Sequence, residues 1–162
     1  LAAGEDAASV AAALADSMRM SIDAPVRPVT ANERAFRVLV RNALFRRVEL
    51  AARRDWVALG ALDADAGWGA EAWQDAMSPY WEEHGVLLTD ADARGPTLLM
   101  IDTDPEYDDD EAPERTGRVW RVRQALHDPA GDHDWCISAE VDLSASDDSC
   151  EAAIRVIFVG EL

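Results

Sequence analysis

A run of acids and histidines late in the chain carries the side chains best suited to hold a cation. His127, Asp128, Asp132, His133 and Asp134 stand close together in the sequence, and carboxylate oxygens with an occasional imidazole suit hard divalent ions. The Asp-x-Asp-x-Asp-Gly register of a calcium loop is absent, however, and the string DPAGD consists of turn-forming residues. We therefore interpret the segment as an ordinary hairpin loop and predict no metal site and no cofactor.

Other paired acids are interpreted in the same way, as solvated loop residues. These pairs are Asp63/Asp65, Asp90/Asp92 and Asp102/Asp104.

Catalysis would need a general acid or base inside an apolar pocket, where desolvation moves its pKa toward neutrality. The candidates are His84, at the end of a tryptophan-bearing helix, and Gln124, the polar member of an apolar strand stripe. His84 also suits a helix C-terminus, and Gln124 suits a position satisfied by the backbone. Neither forms an evident dyad, so we predict no catalytic residue.

The chain holds six tryptophans, which could stack nucleobases or line a ligand cavity. Most of them fall on predicted buried stripes, so core packing is the preferred interpretation. If the fold encloses a pocket, the predicted pocket residues are Trp73, Tyr80, Trp81, His84, Trp120, Gln124 and Trp135.

Arg34, Arg37 and Arg41 lie within about 60° of one another on a predicted helix, opposite its apolar side. This arginine stripe is either a solvated face that balances the acidic half or a docking surface for an acidic partner, with contact to RNA phosphates as a third alternative. The later arginines of the same helix, including Arg47 and Arg54, are interpreted as solvent-facing.

Helical patterns occupy the first half of the chain. An alanine-rich helix is predicted at 6–21, followed by an extended connector around Pro25 and Pro28. We divide the chain into a helical extension with a proline-containing linker at 1–41 and a core domain at 42–162.

A second helix is predicted to start at a capping box formed by Thr30 and Glu33. Its apolar face rotates by about 150° near Asn42, so the helix either kinks or breaks there, or runs straight and packs on two partners. Gly60 should end it, and 61–69 should form a loop.

A third helix is predicted from about Ala70 to His84, closed by Gly85. Pro79 indicates a break within it, or a fresh start capped by Ser78.

The second half of the chain reads as an antiparallel sheet. Its bulky residues recur with a period of two, which indicates strands with one buried face. These residues are Trp120, Val122 and Leu126, then Trp135, Ile137, Ala139, Val141 and Leu143, then Ile154, Val156 and Phe158. The predicted strands are Val86–Thr89, Thr97–Ile101, Gly117–Leu126, Trp135–Leu143 and Ala152–Val159, with an acidic loop at 102–117. Helices followed by strands indicate an α+β fold.

Charge and cysteine content restrict the classes of partner. The formal net charge is −17, and 25 of the 32 acids fall after residue 60, so the larger half is poorly suited to bind nucleic acid. The two cysteines, Cys136 and Cys150, could approach each other on neighbouring strands, but a reduced pair in a cytoplasmic protein is preferred. No segment is long and apolar enough to suggest a membrane span, and the start at Leu1 suggests a fragment of a longer polypeptide.

Two resemblances go beyond these patterns. A curved antiparallel sheet around helices resembles the cone of the nuclear transport factor 2-like superfamily. The strings RNALFRRVELAARRDWVALGAL at 41–62, TDADARGP at 89–96 and WRVRQALHDPAGDHDWCISAEVDLSASDD at 120–148 resemble an uncharacterised C-terminal domain of actinobacterial DEAD/DEAH-box (superfamily 2) helicases. That resemblance implies an accessory domain whose motor lies upstream, since the chain has no G-x-x-x-x-G-K-[ST] phosphate loop.

The leading hypothesis is therefore a non-catalytic interaction domain of a larger ATP-dependent RNA or DNA helicase, serving positioning, partner recruitment or dimerisation. Its expected partners are the helicase core of the same polypeptide and, alternatively, a second copy of the chain. The competing hypothesis is a small-molecule-binding or ketosteroid-isomerase-like pocket domain. An acidic mimic of nucleic acid, based on charge alone, is a third.

Overall fold

The computed structural model describes residues 27–106 and 118–162. Over these ranges the chain forms four α-helices and one open, four-stranded antiparallel sheet, which confirms the predicted α+β class. The helices are α1 (Glu33–Ala52), α2 (Trp56–Asp63), α3 (Ala70–His84) and α4 (Leu143–Ser149), and the strands are β1 (Leu99–Asp102), β2 (Val119–Ala125), β3 (Trp135–Asp142) and β4 (Ile154–Glu161). The helix predicted at 6–21, the connector at Pro25 and most of the acidic loop lie outside the described residues.

Helix α1 runs unbroken through Asn42. The second of the two predicted alternatives is therefore correct, in which a straight helix packs different faces on different parts of the fold. The predicted capping box is wrong. Asn32 caps the helix instead, because its side-chain oxygen accepts a hydrogen bond from the Ala35 N–H at 3.1 Å. Thr30 reaches away from α1 and donates its hydroxyl to Asp147 in α4 at 2.9 Å.

The predicted continuation of α1 to Gly60 is also wrong, because the helix ends at Ala52. Arg54 adopts a left-handed conformation with φ 56°, which reverses the chain. Asp55 then caps α2 by accepting a hydrogen bond from a first-turn N–H. Apolar residues continue at helical spacing across this turn, so periodicity alone could not locate it.

Gly60 has a packing role inside α2 and does not terminate a helix. A Cβ at this position would stand 2.6 Å from the backbone nitrogen of Ala70, at the start of α3. Glycine is therefore required for the close approach of α2 to α3. The loop predicted at 61–69 is helical as far as Ala66, where a short 3₁₀ turn ends.

Helix α3 contains Pro79 without a break, so the predicted interruption is wrong. Pro79 has no N–H to donate to the carbonyl of Asp75, four residues earlier. Asp75, Ser78 and Pro79 are all exposed, so water can solvate this carbonyl. The opposite face buries Trp73, Met77 and Tyr80. The predicted end at Gly85 is confirmed by its left-handed φ of 71°.

A buried ion pair joins α1 to α2. Arg47 donates from Nη2 to Oδ1 of Asp63 at 2.6 Å and from Nε to Oδ2 at 3.0 Å. Its Nη1 also donates to the Ala43 carbonyl at 2.9 Å. Arg47 is 6% exposed and Asp63 2%, so the solvent-facing assignment of both residues is wrong, because α2 folds back and covers this side of α1.

The sheet has the strand order β1-β2-β3-β4, with every neighbouring pair antiparallel. Its predicted inward positions on β2 and β3 are confirmed, since Trp120 and Val122 pair with Val141 and Ala139 and all four are buried. Helices α1 and α3 supply the facing side of the core, where Phe36 packs edge-to-face on Trp120.

The inward orientation predicted for Phe158 is wrong. Ser138 pairs with Phe158 but the next residue, Ala139, pairs with Val156, so Ile157 is an extra residue in β4. Such a bulge reverses the alternation of sides. Phe158 is consequently 44% exposed, whereas Val159 is buried.

Three smaller elements depart from the predictions. Val86–Thr89 contributes a single bridge, between Leu88 and His127, and the segment predicted to start a strand at Thr97 begins as a 3₁₀ turn. The residues of helix α4 were predicted to end a strand and form a loop. They form a helix instead, which Asp142 caps by accepting a hydrogen bond from the Ala145 N–H at 3.0 Å.

Cys136 is buried and Cys150 is exposed, and both are free thiols, as predicted. In the two described ranges, no helix has the length and apolar character that crossing a bilayer requires.

Candidate functional site

Four of the predicted pocket residues meet around Tyr80. Its ring centroid lies 5.5 Å from that of Trp81, 5.0 Å from that of His84 and 5.5 Å from that of Trp135. The Tyr80 hydroxyl donates to the carbonyl of Val86 at 2.7 Å. Burial and nearby carboxylates strongly raise the pKa of Tyr80, so the phenol remains a neutral donor.

The other three predicted pocket residues have different neighbours. Trp73 packs on Trp68 with ring centroids 5.5 Å apart, and Trp120 packs on Phe36 at 5.1 Å. Gln124 donates from Nε2 to two backbone carbonyls at 3.0 and 3.4 Å. The clefts on the described surface include two of about 560 and 430 Å³, and neither of these is lined by a predicted pocket residue.

His84 stands at the rim of the aromatic group among three carboxylates. Its Nε2 lies 3.6 Å from Oε1 of Glu83 and 3.8 Å from Oδ1 of Asp134, and its Nδ1 lies 3.8 Å from Oδ1 of Asp128. These separations exceed hydrogen-bonding distance. The side chain of His84 is 6% exposed, and neither its Nε2 nor Oδ1 of Asp134 has a hydrogen-bond partner.

Asp128 organises the β2–β3 loop beside this histidine. Its carboxylate accepts hydrogen bonds from the backbone N–H of Asp132 at 3.1 Å and of His133 at 2.8 Å. Burial acts to raise the pKa of Asp128, but these hydrogen bonds and the neighbouring His84 outweigh it and hold the pKa below its usual value. Of the five loop residues considered as cation ligands, Asp128, Asp132 and Asp134 each place a carboxylate oxygen within 4.8 Å of a ring nitrogen of His84, whereas His133 pairs with His127 at 2.8 Å between ring nitrogens.

The side of the sheet opposite the core, here called the outer sheet face, carries two cross-strand rows. One row is Met100, Arg123, Ser138 and Phe158, and the other is Asp102, Arg121, Glu140 and Arg155. The second row alternates in charge, which favours the pairing of neighbouring strands. The first row combines an aromatic ring, a thioether and a guanidinium, which are groups enriched in protein interfaces.

Large apolar side chains on this face remain open to solvent. Met100 is 53% exposed, Ile157 39%, Phe158 44% and Leu162 63%, and all four line the cleft of about 430 Å³. The predictions missed this surface because they followed only the inward positions of each strand. The outward positions of β1 and β2 could have been found by the same period of two, but the bulge in β4 leaves no clear sequence signal.

The arginine stripe lies on an exposed side of α1. Arg34 and Arg41 are exposed, while Arg37 bonds Glu33 one turn earlier at 2.9 Å and its guanidinium lies 5.6 Å from the Trp120 ring centroid. A pair of this kind at the surface contributes little to stability. Arg34 and Arg41 therefore present their charges on the outside of the helix, whereas the charge of Arg37 is paired with Glu33.

Arg54 is exposed, as predicted, and it also covers an aromatic ring. Its guanidinium lies 4.2 Å from the ring centroid of Trp81, within the range of a cation–π interaction. The left-handed turn between α1 and α2 thus places a cation over α3.

Comparison with known proteins places almost the whole chain within one family model. Residues 3–159 match the model described as Domain of unknown function (DUF3516). No curated protein and no solved structure gave a significant match.

Proposed function

The chain belongs to the DUF3516 family, and we propose that it is a non-catalytic interaction domain of a larger ATP-dependent RNA or DNA helicase. The domain acts in the cytoplasm by positioning the motor or recruiting a partner. The finer fold that we propose is the cone of the nuclear transport factor 2-like superfamily, with α1 and α3 on the concave side of the sheet.

The outer sheet face is the observation that carries this proposal. Met100 and Phe158 are the two ends of a row that crosses all four strands, and each is about half exposed. Both side chains line one cleft with the exposed Ile157 and Leu162, and exposed apolar groups gathered among polar ones favour a protein-binding surface. Arg123 lies between them in the row and offers a charged anchor of the type enriched at binding hot spots.

The charge of the chain indicates which occupant suits this face. A second copy would bring a net charge of −17 against another −17, and like charges oppose association. A partner surface that combines an apolar patch with acidic side chains would complement Phe158, Met100 and Arg123. We propose that this partner surface belongs to the helicase core of the same polypeptide, as the sequence resemblance implies.

The competing pocket hypothesis receives no support from the two clefts. The larger contains no predicted pocket residue, and the smaller lies on the outer sheet face. The predicted pocket residues Trp73 and Tyr80 are fully buried and pack on neighbouring rings. We therefore propose no reaction for this domain.

A binding assay tests the proposed surface. The chain is immobilised and its affinity for the helicase core is measured for the wild type and for Met100→Ser with Phe158→Ser. Truncation of a central interface side chain costs about 2 kcal/mol or more, so the double variant should bind at least about 30-fold more weakly. Val57→Ser is the matched control, because Val57 is 78% exposed but lies on α2.

The outcomes separate the proposed partners. Absence of wild-type binding, or equal affinity of the double variant, would contradict the proposal. Sedimentation of the chain alone shows whether the same substitutions dissociate a dimer, which would assign the outer sheet face to self-association. Changing Arg34, Arg37 and Arg41 together to alanine tests the arginine stripe separately, and lost binding in that variant alone would move the docking site to α1.

A further inference from the structure

We propose that Glu83, His84 and Asp134 form a binding site for a divalent transition-metal ion of the zinc class. One ligand atom from each residue lies within 4.8 Å of the others. Around a tetrahedral zinc ion, with bond lengths of about 2.0–2.1 Å, ligand atoms are about 3.3 Å apart. The Nε2–Oε1 and Nε2–Oδ1 separations of 3.6 and 3.8 Å therefore need to contract by only a few tenths of an ångström.

The buried histidine points to a ligand independently of the acids around it. A polar atom that is buried without a hydrogen bond carries a desolvation cost. His84 Nε2 and Asp134 Oδ1 are two such atoms, and they face each other. An ion between them would satisfy both, because its bonds would replace the missing hydrogen bonds.

Two neighbouring groups lie beside the proposed ligands on the side away from the ion. The other ring nitrogen of His84 faces the buried carboxylate of Asp128 at 3.8 Å, in the carboxylate–histidine–metal order found at many zinc sites. Asp128 is itself held by backbone N–H groups. The indole of Trp135 donates from Nε1 to the second oxygen of Glu83 at 3.3 Å, which leaves Oε1 for the ion.

The composition and exposure of the site select the class of ion. An imidazole with two carboxylates suits zinc and its neighbours better than calcium or magnesium, which prefer oxygen ligands alone. Glu83 and Asp134 have side chains 46% and 34% exposed, whereas His84 is 6% exposed. The ion would therefore enter from the carboxylate side, where a fourth position remains for water.

Two other groups of side chains compete for this role and define the controls. One contains His84, Asp128 and Asp132, and the other contains Asp90, Asp92 and His127. Asp128 is already engaged by backbone N–H groups, and the His127 ring already pairs with His133. Neither of these two groups of described residues contains two buried ligand atoms that lack a hydrogen-bond partner.

Titration of the untagged chain with Zn²⁺ tests the proposal. All variants carry Cys150→Ser, because the exposed thiol of Cys150 could itself bind zinc. The unaltered site should bind one ion per chain, and Zn²⁺ should raise its unfolding midpoint. Glu83→Gln and Asp134→Asn each remove the charge of one ligand at a partly exposed position. Loss of a residue that only orients a ligand weakens metal binding by about 10–100-fold, so each of these substitutions should weaken zinc binding by at least about 10-fold.

The matched controls are Asp132→Asn and Asp90→Asn, which should leave the zinc affinity unchanged. Absence of stoichiometric binding would overturn the proposal, as would equal affinity in Glu83→Gln and Asp134→Asn. Loss of binding in Asp132→Asn or Asp90→Asn would place the ion in a competing group and would also overturn it. Cobalt substitution adds a second readout, since four-coordinate Co²⁺ in the unaltered site should absorb in the visible region and lose this band in Glu83→Gln.

Discussion

The buried ion pair between α1 and α2 leads to a quantitative prediction about stability. Replacing Arg47 by methionine leaves the carboxylate of Asp63 buried without its cation, and replacing Asp63 by alanine leaves the guanidinium buried without its anion. Both residues are less than a tenth exposed, so solvent cannot compensate for the missing partner. Breaking a pair of this kind costs about 3–5 kcal/mol.

The loss should be large compared with the total stability of the domain. Domains of this size unfold with about 5–15 kcal/mol, and each kcal/mol shifts the midpoint by about 2–4 °C. Either single substitution should therefore lower the melting temperature by about 6–20 °C. A double variant, Arg47→Met with Asp63→Leu, removes both charges and fills the space with apolar atoms, so it should be closer to wild type than either single variant.

Urea unfolding followed by tryptophan fluorescence measures the free energy of unfolding for all four proteins. Arg46→Met and Asp65→Ala are the matched controls, because these exposed neighbours should change the stability by no more than about 0.5 kcal/mol. The reasoning would be refuted if Arg47→Met stayed within 1 kcal/mol of wild type, or if the double variant lost as much as the two single variants added together.

Three further predictions concern the packing of single residues. Gly60→Ala should destabilise the chain by more than 1 kcal/mol because its Cβ meets backbone 2.6 Å away, whereas Gly69→Ala has open space, and equal stabilities in thermal unfolding would contradict this reason. Ser146→Ala should cost about 1–3 kcal/mol in urea unfolding, since the Ser146 hydroxyl links α4 to the start of β4 through hydrogen bonds of 2.6 and 2.9 Å. Tyr80→Phe removes one hydrogen bond to a backbone carbonyl and should cost about 0.5–1.5 kcal/mol, and a gain in stability would show that this bond is not stabilising.

The class of fold could be predicted from the sequence because it depends on patterns that recur over many residues. The period of two on β2 and β3 located the buried face of the sheet, and the end of α3 at Gly85 followed from the need for a left-handed C-cap. These features are local, and each is repeated or reinforced by its neighbours.

The errors arise where a single residue changes the direction of the chain. Arg54 takes a left-handed conformation that is uncommon for arginine, and Ile157 adds one residue to β4, so neither event alters the apolar pattern. Asp55 was a signal that could have been used, because an aspartate before an apolar run is a frequent helix cap.

No metal site was predicted from the sequence, although several of the residues that the fold brings together were considered. Asp128 and Asp134 were considered together as cation ligands and His84 separately as a catalytic candidate, because nothing in the sequence brings the end of α3 beside the β2–β3 loop. Glu83 was missed, since it gains its role from the indole of Trp135 across the fold. Long-range proximity of this kind depends on tertiary packing.

The bulge in β4 makes the proposed binding surface and the core depend on the same strand. Regular pairing of β4 with Ile157 retained would turn the ring of Phe158 toward the helices and remove the aromatic anchor from the outside, whereas a chain that lacked Ile157 would keep the ring opposite Ser138 on the outer sheet face. Gly160, whose Cβ would stand 2.8 Å from that ring, is the small residue that lets the ring lie along the strand. In this sequence the bulge therefore keeps an aromatic ring on the outside of the sheet while Val156 and Val159, on either side of it, stay in the core.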